Sequence, residues 1–247
     1  MNIRTGNAFF HFKSFQGTLL GLLLLTALLH TCTSGFSQER VRVDTLPGKT
    51  PVGFETEIHA FLRQDAISFP PAGAWLFTGS STIRKWEHLS TDFSGIRLVH
   101  RGFGGSTMEA LNYYLRYIVL PYKPSKIVVY EGDNDLAAGA TPEEFIARCD
   151  SFISTVHRAL PQTKIWFISI KPSPSRRQKL AVQEQTNRML KKLARQRVNT
   201  GFIDITRLMY DRNGKLIGGY FEADSLHVTA RCYQVWAGYM KKKLGIH

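Results

Sequence analysis

Residues 75–82 read WLFTGSST, and the rest of the sequence can be interpreted outward from them. The run 75–78 is short and apolar, which predicts a buried strand. Gly79, Ser80 and Ser81 follow at once and predict a polar turn. In an open parallel sheet, ligands bind beyond the carboxyl ends of the strands. The stretch therefore predicts one strand of such a sheet, with two hydroxyl groups at its ligand-binding edge.

Four further runs rich in Val, Ile, Phe and Trp have the length and composition of buried strands. They cover residues 97–100, 126–130, 164–169 and 201–205. Longer amphipathic segments lie between them. Strands that alternate with helices of this length pair in parallel through right-handed crossovers. We therefore expect an α/β fold, a three-layer α/β/α sandwich around a parallel sheet.

Capping signals mark the starts of two helices. Ser106 with Glu109 has the spacing of a capping box. Thr141 with Glu144 has the same spacing, and Pro142 suits the first helical position. Further helices are predicted over 55–65, over 176–197 with apolar positions at Val182, Met189, Leu190 and Leu193, and after Thr229.

The first 38 residues have the layout of a secretory signal peptide. Arg4 and Lys13 lie in a polar stretch, residues 17–29 read GTLLGLLLLTALL, and small residues follow. The apolar run is short for a hydrocarbon core about 30 Å thick. We expect a cleaved signal over residues 1–38 and a secreted or periplasmic protein. A retained anchor, or lipidation at Cys32, is the alternative.

Residues 39–52 are charged, carry Pro and Gly and lack a period, so we expect an N-terminal arm there. Residues 53–247 have the length of a single domain. Cys149 and Cys232 lie in separate predicted helices, where disulfide geometry is rarely available. We therefore expect them to be buried free thiols.

The chain is strongly basic, with 32 Lys and Arg against 19 Asp and Glu and a formal net charge of +13. Such a charge attracts polyanions and anionic membrane surfaces. The basic residues fall mainly on predicted helix faces, and no motif of a nucleic-acid module is present. We expect no nucleic-acid partner and keep association with an anionic surface open. No metal-binding spacing such as CxxC or HExxH occurs, so no metal is predicted.

Three polar, glycine-bearing turns converge on the predicted ligand-binding edge. They are Gly79-Ser80-Ser81 after the first strand, Gly104-Gly105 after the second and Gly132-Asp133-Asn134 after the third. Asp224 and His227 lie in a loop that leads into the last helix.

These residue types are those of an acyl-transfer site. Ser81 offers a hydroxyl that becomes nucleophilic when a base takes its proton. Asp224 can hold one imidazole nitrogen of His227 while the other faces the serine, although an Asp-x-x-His pair alone is a common accident. Asn134 can donate to a developing oxyanion, or bond its own backbone as a turn residue. Gly105 can donate its N–H to the same oxyanion, or serve only as a turn.

Taken together, these blocks resemble those of the SGNH, or GDSL, hydrolase family of esterases and lipases. The resemblance runs from about Trp75 to the C-terminus, with four motifs in the family's order. It implies a flavodoxin-like fold with a five-stranded parallel sheet and no metal or organic cofactor. It implies Ser81, Asp224 and His227 as catalytic residues, and Ser81, Gly105 and Asn134 as oxyanion donors.

One residue departs from the family pattern. Ser80 stands where the first block usually carries Asp. This change concerns the geometry of the turn more than the mechanism. Two adjacent serines also make the nucleophile ambiguous, and we assign Ser81 because it holds the third position of the block.

Three other interpretations remain open. Residues 102–107 follow a strand and open a helix like a dinucleotide-binding fingerprint, but the third glycine is missing. The others are a non-catalytic carbohydrate-binding relative and a basic polyanion binder. For a hydrolase we expect a small-molecule or polysaccharide ester as substrate, with short acyl groups such as acetyl on carbohydrate favoured. Lysophospholipids or other lipid esters are the alternative.

Overall fold

The computed structural model describes residues 53–246. The predicted signal peptide over 1–38 and the predicted arm over 39–52 lie outside these residues. Among the described residues, no helix is both long and apolar enough to span a membrane.

A sheet of five parallel strands forms the centre of the fold, as predicted. The strands are β1 (Trp75–Gly79), β2 (Leu98–Gly102), β3 (Lys126–Tyr130), β4 (Lys164–Ile168) and β5 (Thr200–Ile203). Their spatial order is β2-β1-β3-β4-β5. The chain moves outward from β1 to β2 and then returns to the other side of β1, so the strand order switches beside β1. This switch is where an open α/β sheet leaves a crevice for ligands.

Helices connect the strands. The long ones are α1 (Glu55–Ile67), α4 (Met108–Ile118), α6 (Pro142–Ala159), α7 (Leu180–Gln196) and α8 (Ala230–Leu244). Three short ones are α2 (Ser81–Arg84), α3 (Leu89–Asp92) and α5 (Asp133–Ala137). The predicted helix over 176–197 begins later than expected, because a 3-10 turn over Pro174–Lys179 with a non-helical Arg176 precedes α7.

Alternate strand residues face two separate apolar cores, as the two-residue period of a strand requires. On one face, Leu76 and Ile127 pack in a cluster with residues of α1, α4, α6 and α7. On the other face, Phe77 and Val128 pack in a cluster with residues of α2 and α8. The sheet is thus covered on both sides, which confirms the three-layer sandwich.

The two predicted capping boxes have different outcomes. At Thr141 the prediction is confirmed, because its hydroxyl accepts the Glu144 N–H while the Glu144 carboxylate accepts the Thr141 N–H. At Ser106 the prediction is wrong. Thr107 is the residue that caps α4, and the Ser106 hydroxyl turns into the protein instead, where it contacts a buried carboxyl group.

Cys149 and Cys232 are buried free thiols, as expected. Burial raises the pKa of both thiols, that of Cys232 to about 12. Neither therefore has the thiolate character of a reactive cysteine.

A buried charged network joins α1 to the edge strand β2. Arg101 forms an ion pair with Asp65, and both are almost fully buried. The Tyr122 hydroxyl donates to Asp65 at 2.5 Å and accepts from the Arg101 Nε at 2.7 Å. The Arg101 guanidinium also lies over the Phe61 and Tyr122 rings, 5.0 and 5.1 Å from their centroids. The network is satisfied only while all its members are present.

Replacing Asp65 tests this network. Asp65→Ala is expected to lower the free energy of unfolding by about 3 to 5 kcal/mol, because Arg101 is left buried without its counter-charge. Urea unfolding monitored by circular dichroism measures the change. The control is Asp150→Ala, which removes the partner of the surface residue Arg197 and should cost less than about 1 kcal/mol. Equal losses in the two variants would contradict the structural role of the buried network.

Candidate active site

Ser81 lies at the carboxyl end of β1, where the chain turns into α2. Gly79 has a φ of +125°, and a Cβ there would lie 2.1 Å from the Tyr130 carbonyl oxygen, so only glycine fits. The Ser80 N–H donates to that oxygen at 3.0 Å, and the Ser80 carbonyl accepts the N–H groups of Ile83 and Arg84. Ser80 is therefore buried within the turn, while Ser81 is half-buried at its surface.

His227 contacts Ser81 directly. Its Nε2 lies 2.9 Å from the Ser81 Oγ, although the two residues are 146 positions apart in sequence. Its Nδ1 lies 2.5 Å from the Asp224 Oδ2. The structure thus joins the three predicted residues in one line of hydrogen bonds, and it selects Ser81 rather than Ser80 as the serine that reaches the imidazole. In such a line the imidazole can take the hydroxyl proton while the carboxylate orients the ring.

The loop that carries Asp224 holds both of its carboxylate oxygens. Oδ1 accepts the backbone N–H groups of Leu226 and His227, each at 2.9 Å, and Oδ2 faces the imidazole. The His227 side chain and then the Leu226 N–H lower the pKa of Asp224 well below its usual value. The carboxylate is therefore charged at neutral pH, which the 45% exposure of its side chain also favours.

Three hydrogen-bond donors lie at the ends of β1, β2 and β3. The Ser81 N–H belongs to the first residue of α2, and the Gly105 N–H lies in an exposed turn with a φ of +78°. Neither N–H has a partner among the described residues. The Asn134 side chain donates one N–H to the Ser106 carbonyl at 2.9 Å. Because a primary amide has two such hydrogens, the second stays available for a ligand.

Acidic side chains that sequence reasoning left without a role hold Asn134 in place. Asp133 forms a buried ion pair with Lys171 at 2.7 Å. Asp135 accepts the Met108 N–H, the first of α4, at 3.0 and 3.2 Å. The run of acids next to Asn134 was visible in the sequence. Lys171 lies three residues beyond β4, and nothing in the sequence indicates that it lies beside Asp133.

In the turn over 102–107 and at the start of α4, N–H groups on both sides of the free Gly105 N–H are already bonded to carboxylates. In a dinucleotide site the first N–H groups of the helix face the pyrophosphate. Here Asp135 occupies the Met108 N–H, and the Glu57 carboxylate accepts the Gly104 N–H at 3.0 Å. Two carboxylates thus take the positions that would attract a phosphate.

One group of potential metal ligands lies in the described part of the chain. Glu222, Asp224 and His227 offer ligand atoms within 4.8 Å of one another. Each already has a protein partner, since Glu222 pairs with Lys85 at 2.7 Å and both ring nitrogens of His227 are engaged. The geometry therefore gives no support for a metal ligand set.

Solved structures share this fold. The chain is similar to a protein from Streptococcus pneumonia provisionally assigned as a platelet activating factor, with 24% identity over 77% of this chain and 92% of that chain and a TM-score of 0.68. It is similar to a GDSL-like lipase from Bacteroides thetaiotaomicron VPI-5482, with 18% identity over 76% of this chain and 97% of that chain and a TM-score of 0.64. It is also similar to a catalytic mutant of an acetylxylan esterase from Geobacillus stearothermophilus. The identity is 15% over 72% of this chain and 96% of that chain, and the TM-score is 0.61.

Family comparison goes beyond the fold. No curated protein matches the sequence. The model of the GDSL-like lipase/acylhydrolase family matches residues 71–235, which is more than half of the chain and includes every candidate site residue. The chain therefore belongs to the GDSL-like lipase/acylhydrolase family and is a carboxylic ester hydrolase.

Proposed function

We propose that the protein hydrolyses short acyl esters, acetyl groups on carbohydrate in particular, through an acyl-enzyme formed on Ser81. The observation that carries this proposal is the His227 imidazole, which lies 2.9 Å from the Ser81 hydroxyl on one side and 2.5 Å from the Asp224 carboxylate on the other. A base between a hydroxyl and a carboxylate is the arrangement that activates a serine.

In the first step, the Ser81 Oγ attacks the ester carbonyl while His227 Nε2 accepts the hydroxyl proton. The charged Asp224 carboxylate stabilises the imidazolium that results. The imidazolium then gives its proton to the departing alcohol oxygen as the ester C–O bond breaks. Water repeats the sequence on the acyl-enzyme, with His227 as base, and releases the acid and free Ser81.

The negative charge that develops on the carbonyl oxygen is stabilised by the Ser81 N–H, the Gly105 N–H and the Asn134 side chain. Each lies within four positions of the end of a different strand, so the sheet brings the three donors to the same side of the fold. Removal of one such donor typically costs roughly 100- to 1,000-fold in kcat.

The serine assignment is tested with two adjacent variants. Ser81→Ala is expected to lower kcat on p-nitrophenyl acetate by at least about 1,000-fold, since a methyl group cannot form the acyl-enzyme. Ser80→Ala is the control, because it also removes a hydroxyl from the turn but leaves the His227 contact intact. Activity that persists in Ser81→Ala and disappears in Ser80→Ala would reverse the assignment, and turnover by neither variant nor wild type would favour a carbohydrate-binding role.

The surroundings of the site support a polar substrate with a small acyl group. The turns that carry Ser81, Gly105 and Asn134 are short, each reaching its residue within four positions of the strand end. Two ion pairs, Arg84 with Glu57 and Lys85 with Glu222, flank the serine and the histidine loop. Charged side chains there favour hydroxyl-rich ligands over long hydrocarbon chains. The acetylxylan esterase with the same fold acts on such a substrate.

Acyl length separates the carbohydrate and lipid alternatives. On p-nitrophenyl esters, kcat/KM is expected to fall by at least about 10-fold between the acetate and the octanoate, because short turns and two ion pairs surround the serine. Acetate release from acetylated xylo-oligosaccharides should then exceed fatty acid release from a lysophospholipid. A preference for octanoate and for the lysophospholipid would support the lipid alternative instead.

Export is the remaining part of the proposal, and it depends on residues 1–38. The basic, apolar and small-residue order of that segment supports a cleaved signal. We expect the full-length chain expressed in a bacterial host to appear outside the cytoplasm with an N-terminus near residue 38, as measured by fractionation and intact mass. An uncleaved chain in the membrane would support an anchor, and a mass increase with cleavage before Cys32 would indicate lipidation.

A further inference from the structure

A buried carboxyl group contacts the turn that carries the oxyanion donors. Glu131 follows β3 directly and is 2% exposed, and Ser106 is fully buried. The Ser106 Oγ lies 2.5 Å from the Glu131 Oε1. The second oxygen, Oε2, has no hydrogen-bond partner in the part of the chain that the structure describes. Burial of an acid that makes a single hydrogen bond lowers the stability of the folded state.

Ser106 is in turn the residue that joins two of the proposed donors. Its carbonyl oxygen accepts the Asn134 amide N–H at 2.9 Å, and its peptide nitrogen follows Gly105 directly. A shift of Ser106 would therefore move the Asn134 amide through this hydrogen bond and the Gly105 N–H through the connecting backbone.

Few other bonds hold this peptide. On the N-terminal side the Phe103 and Gly104 N–H groups are well bonded, at 2.8 Å to Gly79 and 3.0 Å to Glu57. The Ser106 N–H makes only a long bond of 3.4 Å, to the Phe103 carbonyl. The contact between the Ser106 hydroxyl and Glu131 is short and buried, so it helps to fix the position of Ser106 between Gly105 and Thr107.

We propose that Glu131 is a positioning residue for ester hydrolysis, which acts through the Ser106 hydroxyl to hold the Gly105 N–H and the Asn134 amide at the oxyanion. The inference rests on the proposed function of that site. It adds a residue to which neither the sequence motifs nor the line from Ser81 to Asp224 assigns a role.

The charge state of Glu131 fits this role. Burial, then the nearby charge of Asp135, raise its pKa well above the usual value. Both effects favour the neutral acid over the carboxylate, and a neutral acid adds no negative charge beside a developing oxyanion. Glutamine has the same shape, is neutral at every pH and keeps an oxygen that can accept from the Ser106 hydroxyl.

Kinetics of five variants on p-nitrophenyl acetate test the proposal. Ser106→Ala and Glu131→Ala are each expected to lower kcat by about 10-fold with KM within twofold, less than the roughly 100-fold loss expected for Asn134→Ala. Glu131→Gln should keep kcat within about twofold of wild type. In the Asn134→Ala background, Ser106→Ala should cost less than it does alone, because part of its effect passes through that amide.

A matched control separates positioning from stability. Thr163 is buried, and its hydroxyl donates to the Pro124 carbonyl. Both residues lie at the amino ends of the strands, whereas the site lies at the carboxyl ends. Thr163→Val removes this hydroxyl and should lower Tm much as Ser106→Ala does, with kcat unchanged. Glu131→Gln and Ser106→Ala keep the test decisive even where Glu131→Ala does not fold.

The outcomes are distinct. Wild-type kcat in Ser106→Ala, a Glu131→Gln variant as impaired as Glu131→Ala, or a loss of kcat in Thr163→Val of the same size would overturn the positioning role. A wild type without esterase activity, or Ser81→Ala with full activity, would instead contradict the proposed function itself.

Discussion

The Tyr130 carbonyl oxygen connects the two strands on which the site is built. It accepts the Ser80 N–H at 3.0 Å and fills the space where a side chain on residue 79 would lie. The turn after β1 is therefore pressed against the end of β3. The hydroxyl of Ser81 and the amide of Asn134 come from these two turns, and their separation follows from parallel pairing of β1 with β3.

The architecture could be predicted from the sequence because its signals are local and repeated. Each strand is a short apolar run whose successive residues face two different cores. Patterns of a few residues were therefore sufficient to predict the strands. The Thr141 capping box is equally local, since all of its atoms belong to four consecutive residues. The approach of His227 to Ser81 was predicted from residue chemistry and family resemblance, and the structure brings the two side chains together.

The misses share a physical cause. Ser106 has the spacing of a cap, but Glu131, a buried acceptor directly after β3, competes for its hydroxyl from 25 positions away. Asp133 likewise looks like a turn residue, and only the fold reveals that Lys171 lies beside it. Side chains whose partners come from another strand cannot be assigned by spacing alone. Such partners accumulate at the carboxyl edge of the sheet, where turns from different strands meet.

The segment after β4 touches both halves of the site. Lys171 pairs with Asp133, next to Asn134, and four residues later the Ser175 N–H donates to the Ser225 carbonyl in the loop of His227. The segment 171–175 thus contacts both the turn of Asn134 and the loop of His227. Among the described residues, these contacts hold the two sides of the candidate site together without a bound ester, so binding is expected to need little rearrangement of them. The speed of the enzyme would then be governed by the bond-making steps and by diffusion of acid and alcohol out of an open edge.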